Sequence, residues 1–465
     1  MPPLGDHCPR LVPLTLASTP TSATLLPPLL SAPPRLPPSL LHTPTAAAAA
    51  DLRNWLLHHQ VDLDRVAFSA GAVAQTALAK GATSLAVPFA LTMNVHSARA
   101  SDLAPLLQRE STLLDNEVLV LHLVYERLKG DASFWAPFLR SLPSSFDTPI
   151  YWSHAEFHEL QGTNVAMLTN VLRQQLVADY TTIYHRICLR YPHMFPRDRV
   201  SIGDFKWALS VLSSRAFGIT KDGEYLQVLC PGLDQLTHDV NLHVPLDEVI
   251  VFDASTQTLE HRVHDAVAAG APLTISYGPY SNAKLLCAYG FVVPGNLNCG
   301  IDFWLDIPRS DRYFRLKKAL LDSNALTAAQ TYDFEGTLLG HAVSERLLAT
   351  VRIIRMHETE IDAHNNAFKS QMISRTNEML VYDSLIAACR QKLQSYTCTL
   401  KQDEALVASG ISMGHRLQMA LQVRMEEKRV LVETIETLTQ WSDYLMVKQD
   451  SDTLVYPPHD VTMAL

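Results

Sequence analysis

From residue 51 onward the apolar positions follow two periods. "DLRNWLLHHQ" (51–60) has helical spacing behind an aspartate cap, and "GAVAQTALAKGATSLAVP" (71–88) reads as a strand, a turn at Gly81 and a second strand ending at Pro88. Helical spacing returns over 111–129, where Leu114, Val118, Leu121 and Tyr125 share a face, and again over 165–190. A second group of strands is predicted at "EYLQVL" (224–229), "EVIVFD" (248–253) and "LTISYG" (273–278). "LAKGATSLAV" (78–87) and "VAAGAPLTIS" (267–276) repeat one device, a glycine turn ahead of an alternating strand. Short strands parted by a helical insert at about 100–205 indicate an α+β fold rather than a regular parallel βαβ wind.

Beyond about residue 305 the strand signals stop. Leu417, Leu421 and Met425, then Leu431, Ile435 and Leu438, form an apolar helix face with charged residues between them. An all-α region over 305–465 is expected, either a solvated helical hairpin or a surface that binds a partner. Residues 1–50 differ from the rest: twelve of the 27 prolines lie there, with the run Ala46–Ala50, one acidic residue (Asp6) and two arginines (Arg10, Arg35). Proline at that density blocks helix and ladder alike, so a disordered, partly polyproline tail is expected. A transit peptide is also poor in acid, but is usually richer in arginine and amphipathic.

Composition narrows the function classes. With 465 residues, 47% hydrophobic and 18% charged, the chain is long enough for two or three domains with cores. A net charge of −9 argues against nucleic-acid binding. Seven scattered cysteines (8, 188, 230, 287, 299, 389, 398) offer no C-x-x-C pair and suit a reducing compartment, cytoplasmic or nuclear. No apolar run reaches the roughly 18 residues of a membrane helix. No metal site is expected: His154 and His158 are spaced i, i+4, but "HAEFHE" lacks the order H-E-x-x-H, and His238 and His243 sit in turn-like sequence. There is no P-loop, no dinucleotide glycine fingerprint and no G-x-S-x-G.

"ISYGPYSNAKLLCAYGF" (275–291) packs two Tyr-Gly pairs around a polar turn and a short helical run. With "EVLVLHLVYERLKGDASFWAPFLRSLPSSFDTPIYW" (117–152), "FKWALSVLSSRAFG" (205–218), "LDQLTH" (233–238), "RLLATVRIIRMHETEI" (346–361) and "HRLQMALQVRMEEKRVL" (415–431), it resembles the SET-domain protein methyltransferases. The resemblance is to the branch of the Rubisco large-subunit and actin-histidine methyltransferases, and it runs from about Trp55 to the C-terminal helices. It implies a SET domain over 51–304 and a helical substrate-binding domain over 305–465. It also implies S-adenosyl-L-methionine as cofactor and methyl transfer to a lysine or histidine of a non-histone protein, actin-like or otherwise abundant in the cytosol. Family SET domains thread their last segment through a loop, and Gly278 and Gly290 suit that close approach.

Individual residues follow from the same resemblance. Tyr277 matches the catalytic tyrosine; Gly71, Ala72 and Val73 match the first cofactor turn, with Ser69 where the family has an earlier glycine. Arg215 stands where an arginine fork binds the methionine carboxylate. Asp234, Gln235, Leu236, Thr237 and His238 match the segment under the adenine, and Tyr289, Gly290 and Phe291 its closing wall. Thr237 replaces the family's asparagine, exchanging an amide for one hydroxyl. Phe217 and Leu233 replace the asparagine and tryptophan of histidine-methylating members, and Tyr280 is expected to line the same channel. An aromatic wall suits a lysine stem, so lysine is favoured with histidine as the alternative. Thr237 keeps open a second reading, a catalytically weak SET-fold module that binds protein without modifying it.

Overall fold

The computed structural model describes residues 44–69, 71–296, 298–326, 333–339 and 342–447. The expected tail falls mostly outside them. Its last residues do not belong to it: the helix Ala46–His58 starts in the alanine run, capped by Thr45 Oγ1, which accepts from the Ala48 amide at 3.2 Å. Alanine's helix propensity outweighs the low-complexity appearance of that run.

The chain divides into two compact units, the first made of the chain up to Tyr151 with Thr169–Pro279 and Cys287–Pro294. Its strands are short: β1 (Val66–Ser69), β2 (Gly71–Ala74), β3 (Thr83–Pro88), β4 (Phe217–Lys221), β5 (Glu224–Val228), β6 (Thr237–His238), β7 (Ile250–Asp253), β8 (Thr258–Arg262) and β9 (Thr274–Ile275). β3, β8 and β7 form an antiparallel sheet in that order, while β1–β2 and β4–β5 are hairpins. The β4–β5 turn is Asp222-Gly223, with φ of 52° and 81°, the dipeptide that a tight two-residue turn favours. The two glycine-turn repeats pair with each other: Leu78 and Val267 exchange backbone hydrogen bonds of 2.8 and 2.9 Å, and Gly81 and Gly270 both take φ 79°. Helices Asp115–Lys129 and Ile202–Arg215 pack together, and one core runs through Leu56, Val87, Leu121, Phe205, Leu229, Leu259 and Leu273. Val118 and Leu121 face that core, while Leu114 stays exposed just ahead of the helix.

β6 and β9 are the only parallel pair among the described strands, with His238 opposite Ile275. The Leu273 amide donates to the Ala72 carbonyl at 2.9 Å, and the Thr237 amide to the Leu273 carbonyl at 3.2 Å. β2, the 272–275 segment and β6 thus lie side by side. This register leaves Tyr277 two residues past the pairing.

The second unit holds Trp152–Leu168, Tyr280–Leu286 and the chain from Gly295. Helices Glu345–Arg355, Arg375–Gln394 and His415–Val447 enclose a core of Leu347, Val381, Leu385, Leu431 and Leu438. The expectation of an all-α region needs one correction. β10 (Ile301–Asp306), β11 (Asp333–Leu339) and β12 (Ala342–Val343) form an antiparallel sheet. Ile301 pairs with Leu338 across a long connection, and such non-local pairing leaves no local signal in a single sequence.

Candidate active site

A cleft in the first unit is lined by Ser214, Arg215, Ala216, Phe217, Asp234, Leu236, Leu246, Ile275, Ser276, Tyr277 and Tyr289. Arg215 ends its helix and Phe217 opens β4, so one helix-to-strand turn supplies a cation and an aromatic ring to the same wall. Arg215 Nη1 donates to the Asp234 carbonyl and to Asp234 Oδ2, each at 3.0 Å. Its Nε and Nη2 make no hydrogen bond among the described residues. The Asp234 carboxylate is fully buried and accepts further from the Gly232 amide (3.0 Å) and Gln235 Nε2 (2.8 Å). Burial pushes that carboxyl up, against the pull of Arg215 and the Gly232 amide.

Tyr277 is fixed at several points. Its hydroxyl donates to the Leu236 carbonyl at 2.9 Å, and its amide donates to His238 Nδ1 at 3.1 Å. Its ring stacks on His238 (centroids 5.1 Å apart) and on Tyr289 (4.6 Å). Phe291 meets all three rings at 6.1 to 6.3 Å. Burial pushes the Tyr277 phenol up to about 12 and the His238 imidazole down. Gly290 has φ 80°, and a Cβ there would lie 3.0 Å from the backbone of Asp147 and Thr148. That is the close chain approach expected of this glycine; Gly278 shares the positive φ at 132°.

The sequence-derived residues separate into three groups. Arg215, Phe217, Asp234, Leu236, Tyr277 and Tyr289 converge on the cleft, with Gln235, His238, Gly290 and Phe291 behind them. Gly71, Ala72 and Val73 lie along β2 beside the Leu233–Gln235 turn, and the Thr237 hydroxyl is half-buried with no hydrogen bond among the described residues. Leu233 is wholly buried in the core and does not line the cleft, and Tyr280 belongs to the second unit. Sequence reasoning missed Ser214, Ala216, Leu246, Ile275 and Ser276. Ile275 has the inward phase of "LTISYG", but Leu246 follows turn-like sequence and carries no signal.

Residues 308–431 match the family model described as Rubisco LSMT substrate-binding. A solved structure of the SET domain of LSMT bound to lysine and AdoHcy superposes with a TM-score of 0.74 at 26% identity, covering 86% of this chain and 93% of that one. The chain is similar in sequence and in fold to the SET-domain protein methyltransferases of this branch. It is 25% identical over 386 residues to the ribulose-1,5 bisphosphate carboxylase/oxygenase large subunit N-methyltransferase, chloroplastic, of Nicotiana tabacum, spanning 78% of this chain and 74% of that protein. It is 28% identical over 375 residues to the actin-histidine N-methyltransferase of Canis lupus familiaris, spanning 76% of this chain and 61% of that protein. No group of three or more metal-ligating side chains occurs among the described residues of this SET protein. No helix among them is long and apolar enough to cross a membrane.

Proposed function

We infer that this SET-domain protein is an S-adenosylmethionine-dependent protein N-methyltransferase whose preferred target is a lysine side chain. The supporting observation is the meeting of Arg215, Asp234, Phe217 and Tyr277 in one cleft. The residues present suit the cofactor. Arg215 keeps Nε and Nη2 for a carboxylate, and the aromatic ring of Tyr289, which lines the cleft, suits a cationic sulfonium. When bound, S-adenosylmethionine supplies a methyl carbon to which the amine nitrogen bonds as the carbon–sulfur bond breaks, its electron pair going to sulfur and the amine proton to solvent.

The chain's own residues do the positioning. Tyr277 stays protonated at neutral pH and donates to the Leu236 carbonyl, so it acts through its place and its dipole, not as a base. Phe217, Leu236, Leu246 and Ile275 give the cleft apolar surface, which fits a lysine stem and favours the neutral amine. Gly71–Val73 and the 234–238 segment complete the cofactor site in this reading, and the region 308–431, matched by the substrate-binding family model, docks the protein target. An actin-like or other abundant cytosolic protein is the proposed target, and residence is cytoplasmic or nuclear. A relative named chloroplastic supports an organelle address as the alternative.

The test is calorimetric titration with S-adenosylmethionine, followed by transfer of its tritiated methyl group to lysate protein. Micromolar binding with labelled lysine supports the reading. No binding up to millimolar cofactor leaves the protein-binding module in its place.

A further inference from the structure

We propose that the His238 side chain positions Tyr277 rather than contacting the cofactor, whatever the backbone of the 234–238 segment contributes to the cofactor site. The inference rests on the reading of Tyr277 as the residue that orients the transferred methyl group.

Three observations converge on it. The His238 side chain does not line the cleft, although Tyr277 and Tyr289 both do. Its Nδ1 accepts the Tyr277 amide at 3.1 Å; a backbone amide only donates, so Nδ1 is unprotonated and the neutral ring carries its proton on Nε2. The ring lies against Tyr277 at 5.1 Å with an interplanar angle of 24°, opposite Tyr289 at 4.6 Å and 25°. Tyr277 is therefore the middle ring of a three-ring stack, tied at its amide by His238 and at its hydroxyl by the Leu236 carbonyl.

Backbone pairing holds the support itself in register. His238 sits opposite Ile275, and the Asp239 amide donates to the Ile275 carbonyl at 3.0 Å. The imidazole is thereby delivered over the residue two positions past Ile275. A ring with an acceptor at the δ position is needed to make both contacts, and among the common side chains only histidine supplies both. Displacing the phenol by a fraction of an ångström would leave the cofactor's own contacts in place and slow transfer.

Two variants separate the contacts. His238→Phe keeps a ring and removes the acceptor; His238→Asn keeps an acceptor near the δ position and removes the ring. With tritiated S-adenosylmethionine and lysate protein as acceptor, His238→Phe is expected to hold cofactor affinity within about twofold of wild type and lower the rate at saturating cofactor about tenfold. His238→Asn is expected to recover about a third of the wild-type rate. In a Tyr277→Phe background, His238→Phe should cost nothing further, because the hydroxyl it aims is gone. Weakened cofactor binding with an unchanged saturating rate, or full additivity with Tyr277→Phe, overturns the proposal. Failure of the wild type to bind S-adenosylmethionine overturns it together with the methyltransferase reading, and is seen before any variant is made.

Discussion

Arg215 and Asp234 form an ion pair in which one guanidinium nitrogen meets both the backbone carbonyl and the buried carboxylate of the same residue, at 3.0 Å each. The aspartate side chain is 0% exposed and the arginine 14%. A buried carboxylate needs its cation, so the arginine serves both the fold and the ligand.

The first prediction separates those two roles. Arg215→Ala removes the cation and strands Asp234, so it should cost about 3–5 kcal/mol of stability besides abolishing tight cofactor binding. Arg215→Lys keeps a charge for Asp234 but loses the fork. It should unfold close to the wild-type temperature and bind S-adenosylmethionine roughly tenfold or more weakly, the cost of one charge-assisted hydrogen bond. Thermal unfolding and calorimetric titration on both variants decide the matter; a Lys variant with wild-type affinity removes Arg215 from the cofactor site.

Much of this cleft was legible because its residues sit in contiguous motifs. Arg215 and Phe217 share one helix-to-strand turn, and 234–238 and 275–291 are unbroken stretches, so a local reading captured Tyr277, Tyr289 and the glycine at 290. Leu233 was misplaced for a structural reason. Sequence neighbourhood does not say which way a side chain points, and the turn Leu233–Gln235 sends it into the core while Asp234 lines the cleft. Leu246 was invisible because it reaches the cleft through tertiary packing alone, and the sheet of β10–β12 because its strands pair across a long connection. His238 was read by position as part of the cofactor segment, whereas its ring nitrogen is committed to Tyr277.

Thr237 carries the second prediction. Its hydroxyl makes no hydrogen bond among the described residues, and it stands where the resemblance implies an asparagine amide. Thr237→Asn should tighten S-adenosylmethionine binding by about 1 kcal/mol, or roughly fivefold, for one recovered hydrogen bond. A weaker-binding variant would show that the site is built around the hydroxyl.

Acid sensitivity follows from two histidines of the first unit. Burial holds His122 down to about 3 and His261 to about 4, below the ordinary 6.5. Both are neutral in the folded protein, so below pH 6.5 the unfolded chain binds more protons. Their contribution is complete above that pH and is lost as pH falls toward about 4 and then about 3. Each can cost up to about 1.4 kcal/mol per pH unit within its window. Denaturant unfolding at pH 7, 5.5 and 4.5 should show a smaller decline for His261→Gln than for wild type; parallel declines would show that this histidine titrates normally.

The last prediction concerns what the cleft accepts. Phe217 is buried at the start of β4, two residues after Arg215, and lines the wall with Leu236, Leu246 and Ile275. That surface offers contact to a long methylene stem and no hydrogen bond to an imidazole edge. Leaving a polar ring nitrogen unpaired in a buried site costs more than a missing methylene, so the wild type should modify lysine in preference to histidine. Phe217→Asn introduces an amide where the apolar ring stood. One graft into an otherwise apolar wall should recover about 1–2 kcal/mol for imidazole, shifting the histidine-to-lysine ratio roughly five- to thirtyfold. Tyr277→Phe is the control: it keeps the packing, loses the hydroxyl bond to Leu236, and should depress methylation of both residues while cofactor binding persists. Mass spectrometry of lysate proteins methylated by the three forms reads out the ratio. Histidine as the main wild-type product would overturn the lysine assignment and leave the fold and cofactor site standing.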